Sequence, residues 1–170
     1  MKNLFKSAPI QKMLSIAKWK ISFTEKFLAP LALLAIRIHV GMVFWRSGQT
    51  KIANLESTKQ LFGWEYIPNW ESNATKSILG IDITFPVPSV EFAATSATYA
   101  EVVLPILLIA GFGGRFAAFG LFMMALTIES FIYPGISEHA YWMLTMAIIV
   151  TQGPGMLSAD YWIRRKFLKA

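Results

Sequence analysis

Along the chain, four long apolar runs alternate with short breaks rich in glycine, proline or basic residues. The first run, FLAPLALLAIRIHVGMVFW from Phe27 to Trp45, is apolar except for Arg37 and His39. About 20 residues rising 1.5 Å each cross a hydrocarbon core about 30 Å thick, so such a run predicts a membrane-spanning helix. The pattern places four spans at residues 28–48, 91–112, 116–133 and 137–152. Ser89, following Pro86 and Pro88, has the side chain and position of an N-cap for the second span. Gly113-Gly114-Arg115 separates the second from the third, Pro134-Gly135 ends the third, and Gly153-Pro154-Gly155 ends the fourth. The expected fold is all-α: a polytopic membrane protein with a four-helix transmembrane bundle over residues 28–157.

Two flanking segments and one connection complete the pattern. In residues 1–27, Ile10, Met13, Leu14, Ala17 and Ile21 recur at helical spacing, while Lys12, Lys18 and Lys20 fall largely elsewhere. This predicts a basic amphipathic helix lying on the inner leaflet; an apolar run of signal-peptide type is missing. Ser158 would cap a short basic tail helix over residues 158–170. Residues 49–90 carry Trp64, Tyr66, Trp70 and Phe85 among prolines and mixed charges. That aromatic content predicts a compact extracytoplasmic cap on the bundle mouth, its rings serving mainly as interfacial anchors.

Composition strengthens the membrane reading. The chain is 55% hydrophobic and 15% charged, with a mean hydropathy of +0.47. A net charge of +6 can attract nucleic acid, but here the basic residues sit at the ends of apolar runs. Their placement sets topology instead, and no nucleic-acid partner is expected. Eleven of the sixteen Lys and Arg residues fall on one side if the N-terminus, the Arg115 turn and the C-terminus share it. Both termini are therefore expected in the cytoplasm.

Chemistry is sparse. With no cysteine and two histidines, the chain offers no disulfide, thiolate metal site or ligand set for a haem or iron–sulfur cluster of its own, and no metal is expected. The eight methionines are read as packing, and Glu138 and His139 as capping residues at an exposed helix start. No phosphate-cradling loop, nucleophile triad or dinucleotide fingerprint is visible, so whether the chain is an enzyme stays open. Four ionisable residues do fall within the spans: Arg37, His39, Glu101 and Glu129. Measured along ideal helices from Lys26 and Arg115, they rise roughly 16–21 Å from the cytoplasmic side, in one layer. This predicts a buried polar cluster in which Arg37 pairs with Glu101, with Glu129 as rival partner and His39 alongside. Such a layer either clamps the helices together or forms a functional site.

Three stretches together resemble the DoxX family of four-helix membrane proteins. The first is Arg37 followed by Ser47-Gly48-Gln49-Thr50-Lys51, the second is FPVPSVEFAATSATYAEVVLPILLIAGFGGRFAA, and the third is QGPGMLSAD at the end of the fourth span. The resemblance covers roughly residues 28–162 and makes Arg37, Gly48, Lys51, Glu101 and Arg115 the positions matching the family. It implies a prokaryotic inner (cytoplasmic) membrane protein embedded in the lipid bilayer, working with another protein subunit or a soluble partner. Two roles follow from it. One is a non-catalytic subunit or helper in a stress-response, metal-handling or redox system. The other is a quinone-binding membrane subunit of an oxidoreductase of the thiosulfate:quinone type, with the quinone held near the Arg37–Glu101 layer.

Overall fold

The computed structural model describes residues 8–167. Helix α1 (Ala8–Phe23) passes through a π-helical turn (Thr24–Leu28) into α2 (Ala29–Ala53) with no break in helical backbone. The boundary expected near Phe27 is therefore not an element boundary, since the residues flanking the π turn keep right-handed helical dihedrals. From Ile10 to Ala53 the helix counts 44 residues, about 66 Å of rise. That is twice what a hydrocarbon core requires. All residues from Gln11 to Ala29 are exposed.

Beyond α2 come α3 (Leu55–Leu61), a second π turn (Phe62–Tyr66) and α4 (Ile67–Asn73). A hairpin of β1 (Thr75–Ile78) and β2 (Ile81–Thr84) follows, paired antiparallel from Thr75 opposite Thr84 to Ile78 opposite Ile81. This short hairpin is the one non-helical pairing among the described residues of an otherwise helical chain. Its Leu79-Gly80 turn has positive φ at both residues, the geometry a two-residue hairpin loop requires. The remaining elements are α5 (Val90–Ala110), α6 (Gly114–Thr127) with a third π turn (Ile128–Ile132), α7 (Ser137–Gln152) and α8 (Ala159–Phe167). Ser89 caps α5 by accepting the Phe92 amide, and Ser158 caps α8 by accepting that of Tyr161.

Helices α2, α5, α6 and α7 pack in that order around a ring, each touching the next and α7 returning to α2. Their shared core holds Val40, Phe44, Leu108, Leu121, Met146 and Ile149, with Ala117, Ala118 and Ala125 allowing close approach. Among the described residues, three helices are long and apolar enough to cross a membrane, namely Ile10–Ala53, Val90–Ala110 and Gly114–Ile132. Helix α7 has 16 residues, about 24 Å of rise, against the 19 residues that α6 and its π turn span together.

Small residues set the register between α2 and α5. A Cβ added to Gly48 would lie 2.7 Å from the Glu101 carbonyl oxygen, and one on Gly41 would lie 2.7 Å from Ile109. The two backbones touch at these levels, so the antiparallel helices cannot slide past each other. Gly111, where α5 ends, has φ +69°, and a Cβ there would strike both Arg37 and Ser158. Residues 54–89 fold over the opposite end of the ring. They are tied to α5 by the Lys59–Glu91 ion pair, and to the end of α6 by Trp70 stacked on Phe131 at 4.6 Å.

Candidate functional site

The four ionisable residues expected in one layer occupy four separate places. Heights taken from Lys26 assumed that the membrane helix starts there, whereas the helix continues far below it. The register pinned by Gly41 and Gly48 puts Arg37 beside Gly111, near the turn end of the ring, and brings Glu101 to the Gly48–Lys51 level. His39 is exposed on the outside of the bundle. Glu129 stands in the third π turn, close to α7. The expected Arg37–Glu101 pair does not form.

Glu101 instead meets Lys51. The Lys51 ammonium donates to both carboxylate oxygens, at 2.8 and 2.6 Å, and to Ser47 Oγ at 2.8 Å. All three of its hydrogens thus have acceptors, and both residues are at least 90% buried. Ser47 and Lys51 lie four residues apart on one face of α2, which is how a single helix supplies both groups. Removing two charges from water costs several kcal/mol per ion, and only geometry of this quality repays it.

The pair forms part of the wall of a cavity of about 470 Å³ at the end of the ring covered by residues 54–89. Elsewhere the lining is chiefly apolar: Val43 and Phe44 from α2, Ala93, Ala97 and Ala100 from α5, Met124 and Ile128 from the α6 side, Trp142 from α7. Tyr66, Ile67 and Trp70 form the roof. His139 also lines it, as do the hydroxyls of Ser96 and Thr127. His139 Nδ1 lies 2.7 Å from Glu129 Oε2, and the other oxygen of that carboxylate accepts the Gly135 amide at 2.7 Å. The expected exposed capping role of His139 is therefore corrected: it is 5% exposed and closes the junction of α6 with α7. Among the described residues no three His, Cys, Asp or Glu side chains gather as a metal site.

At the roof's edge Tyr133 donates to Glu65 Oε1 at 2.6 Å and meets Tyr66 edge-on at 5.7 Å. Burial is the largest cause holding both phenols above the ordinary tyrosine range, and the Glu65 carboxylate adds to it at Tyr133. A raised folded-state pKa means that the folded chain keeps protons the unfolded chain has lost. Stability from these phenols is thus full below about pH 10 and falls as pH rises beyond it. In a tyrosinate absorbance titration, Tyr133→Phe should remove a component that ionises later than a free phenol. A titration identical to that of the parent would show that the phenol is not held.

At the opposite end Asp160 accepts the Gly113 and Gly114 amides, each at 2.8 Å, so its carboxylate caps α6. Its own amide donates to the Gly111 carbonyl. Arg37 is fully buried; Nη2 donates to the Leu157 carbonyl, Nε and Nη1 have no hydrogen-bond partner among the described residues, and the Asp160 carboxylate acts on the guanidinium through space without a direct ion pair. Arg115 lies against Gly153, where α7 ends. The family-matching positions therefore serve two sites: Gly48, Lys51 and Glu101 the cavity, and Arg37 and Arg115 the turn end.

Sequence reasoning missed the Lys51–Glu101 pair, the Glu129–His139 pair and the role of Asp160. For the first, the signal available was Ser47 and Lys51 at four-residue spacing at the end of an apolar run. Gly48 between them marked the close approach.

Membrane-length helices around an apolar cavity with a buried ion pair in its wall define a multi-pass helical membrane protein. The cavity suits an apolar molecule with a polar head. The sequence profile of the DoxX family matches residues 32–134, more than half of the chain, and the protein belongs to that family. The match takes in Arg37, Gly48, Lys51, Glu101, Arg115 and Glu129 and stops before α7, leaving the QGPGMLSAD stretch beyond it. No curated protein and no solved structure gives a significant match to the chain.

Proposed function

We propose that this protein is a prokaryotic inner-membrane subunit whose cavity binds a quinone on behalf of a partner oxidoreductase. The observation that carries this reading is the Lys51–Glu101 pair, buried in the chiefly apolar wall of a cavity of about 470 Å³. The donor set fits the group. Two of the three Lys51 hydrogens go to one carboxylate, so one can pass to a ring carbonyl without breaking the pair. Glu101 can accept from a ring hydroxyl, which gives both oxidation states a partner in the same place. His139, with Nδ1 engaged by Glu129, retains Nε2 for a second ring oxygen. A bound quinone would supply transport of two electrons and two protons; the chain's own residues hold it and keep it dry.

In this reading α7 crosses the membrane as a fourth span. Both termini lie in the cytoplasm and residues 54–89 lie outside. Reporter fusions at residue 60 and at the C-terminus should then report opposite compartments; the same compartment for both would sink the topology. For the ligand, titrating the protein in detergent with a decyl-tailed benzoquinone should quench the fluorescence of Trp70 and Trp142, which line the cavity. The Lys51→Met/Glu101→Leu variant should bind about tenfold more weakly, the loss of roughly 1.4 kcal/mol expected for one or two hydrogen bonds. Quenching unchanged in that variant would show that the quinone is elsewhere.

A second reading, a non-catalytic helper that docks a stress-response or metal-handling partner, draws on α1. Its Met13, Trp19 and Ile21 are exposed, with Trp19 stacked on Phe23 of the same helix. Recovery of a soluble partner by the full chain, lost after Trp19→Glu and Ile21→Glu, would favour that role.

A further inference from the structure

The walls of the cavity are not equally closed. Between α2 and α5, the Gly48 backbone lies against Glu101. Between α2 and α7, Phe44 meets Trp142 edge-on at 5.5 Å. Between α6 and α7, Glu129 bonds His139. The roof is fastened by the Trp70–Phe131 stack, the Tyr133–Glu65 hydrogen bond and the Lys59–Glu91 ion pair. One seam differs. Helices α5 and α6 touch where Leu104 lies against Gly120, but towards the roof α5 brings Ala93, Ala97 and Ala100 to the cavity and α6 brings Met124 and Thr127. At this level α5 therefore puts only methyl groups, and no large side chain, into the cavity wall beside α6.

The same side continues outward. Phe92 and Ser96 line the cavity and also a groove on the outer face of α5, together with Ser89, Glu91 and Thr95. Phe92 is 68% exposed. The cavity and the groove thus share two residues at the rim, where α5 emerges towards the roof.

We infer that the cavity is filled sideways from the bilayer, through the α5–α6 seam at Phe92 and Ser96, by an amphiphile that enters head first and leaves its tail in the lipid. This deepens the quinone reading and rests on it for the identity of the head. About 470 Å³ holds a substituted ring with a short chain but not a long prenyl tail, and an apolar seam open to lipid gives that tail a place at no desolvation cost. The polar end of the cavity at Lys51 lies on α2, across the ring from α6, so a head inserted through the seam runs towards the ion pair.

The chain has no cysteine, so one introduced thiol reports access cleanly. Ser47→Cys places it beside the ion pair, and Val43→Cys is the second position should the first fail to fold. In phosphatidylcholine liposomes, a decyl maleimide dissolved in the bilayer should label it faster than a sulfonated maleimide in the water. Ser96→Trp, and separately Thr127→Trp from the facing helix, should each slow the alkyl reagent by about tenfold, equivalent to about 1.4 kcal/mol of barrier. Neither should change the sulfonated reagent. Equal rates for the two reagents, or an alkyl rate unaffected by both tryptophans, would overturn the lateral route. A decyl-tailed benzoquinone should protect the thiol. Labelling that remains lipid-borne and tryptophan-sensitive, yet is unprotected by the quinone, would uphold the route and remove the quinone as its user.

Discussion

Lys51→Met will lower the stability of the detergent-solubilised protein by about 3–5 kcal/mol, because it leaves the Glu101 carboxylate buried with no counter-charge. Glu101→Gln will do comparable damage by stranding the ammonium. The double variant will recover much of the loss, since breaking a buried pair costs far more than removing it whole. Unfolding by a denaturing detergent, followed through the cavity tryptophans, gives the four stabilities of the cycle. A double variant as damaged as the sum of the singles would mean that the two side chains do not interact. The cavity adds a further expectation: the repaired double variant should fold and yet bind quinone poorly. Stability and ligand affinity would then separate in one protein.

The second large effect lies at the other end of the ring and is asymmetric. Asp160→Ala removes two charge-assisted bonds to the Gly113 and Gly114 amides, uncaps α6 and takes away the negative field that acts on buried Arg37. Each bond to a charged group is worth about 1.5–3 kcal/mol, so a loss of about 3–5 kcal/mol is expected. Arg37→Met should cost only about 1–3 kcal/mol. It frees the Leu157 carbonyl, while Asp160 keeps both amides. In the Arg37→Met background the further change Asp160→Ala should cost less than it does alone. If Arg37→Met proves the more damaging of the two, the guanidinium rather than the carboxylate organises this end.

Much of the fold was legible because the bilayer imposes its length on apolar runs. The bounds of α7 and the caps at Ser89 and Ser158 could be read from glycine, proline and serine placement alone. Pairing was not legible, for a geometric reason. Heights along a helix need an origin, and Lys26 supplied a false one, since the chain stays helical from Ala8 to Ala53. The true origin is where the helices touch, at Gly41 and Gly48, and sequence shows small residues without showing what they face. Lys51 was misjudged for the same reason: read as the start of a loop, it is the last turn of α2. The hairpin at Thr75–Thr84 has no aromatic residue; Ile78, Ile81 and Ile83 around Gly80 were its signal, passed over because residues 49–90 were read as one aromatic cap.

The buried pair at Lys51 and Glu101 also has an electrical consequence. Carrying one positive and one negative charge within 2.6 Å, it adds no net charge to the interior of the membrane. A neutral quinone entering or leaving beside it moves no charge through the transmembrane potential. A unit charge crossing the whole field would meet work of about 2.3 kcal/mol per 100 mV. Occupancy of the site would then follow the concentration of the ligand in the lipid and stay constant as the cell's energisation rises and falls.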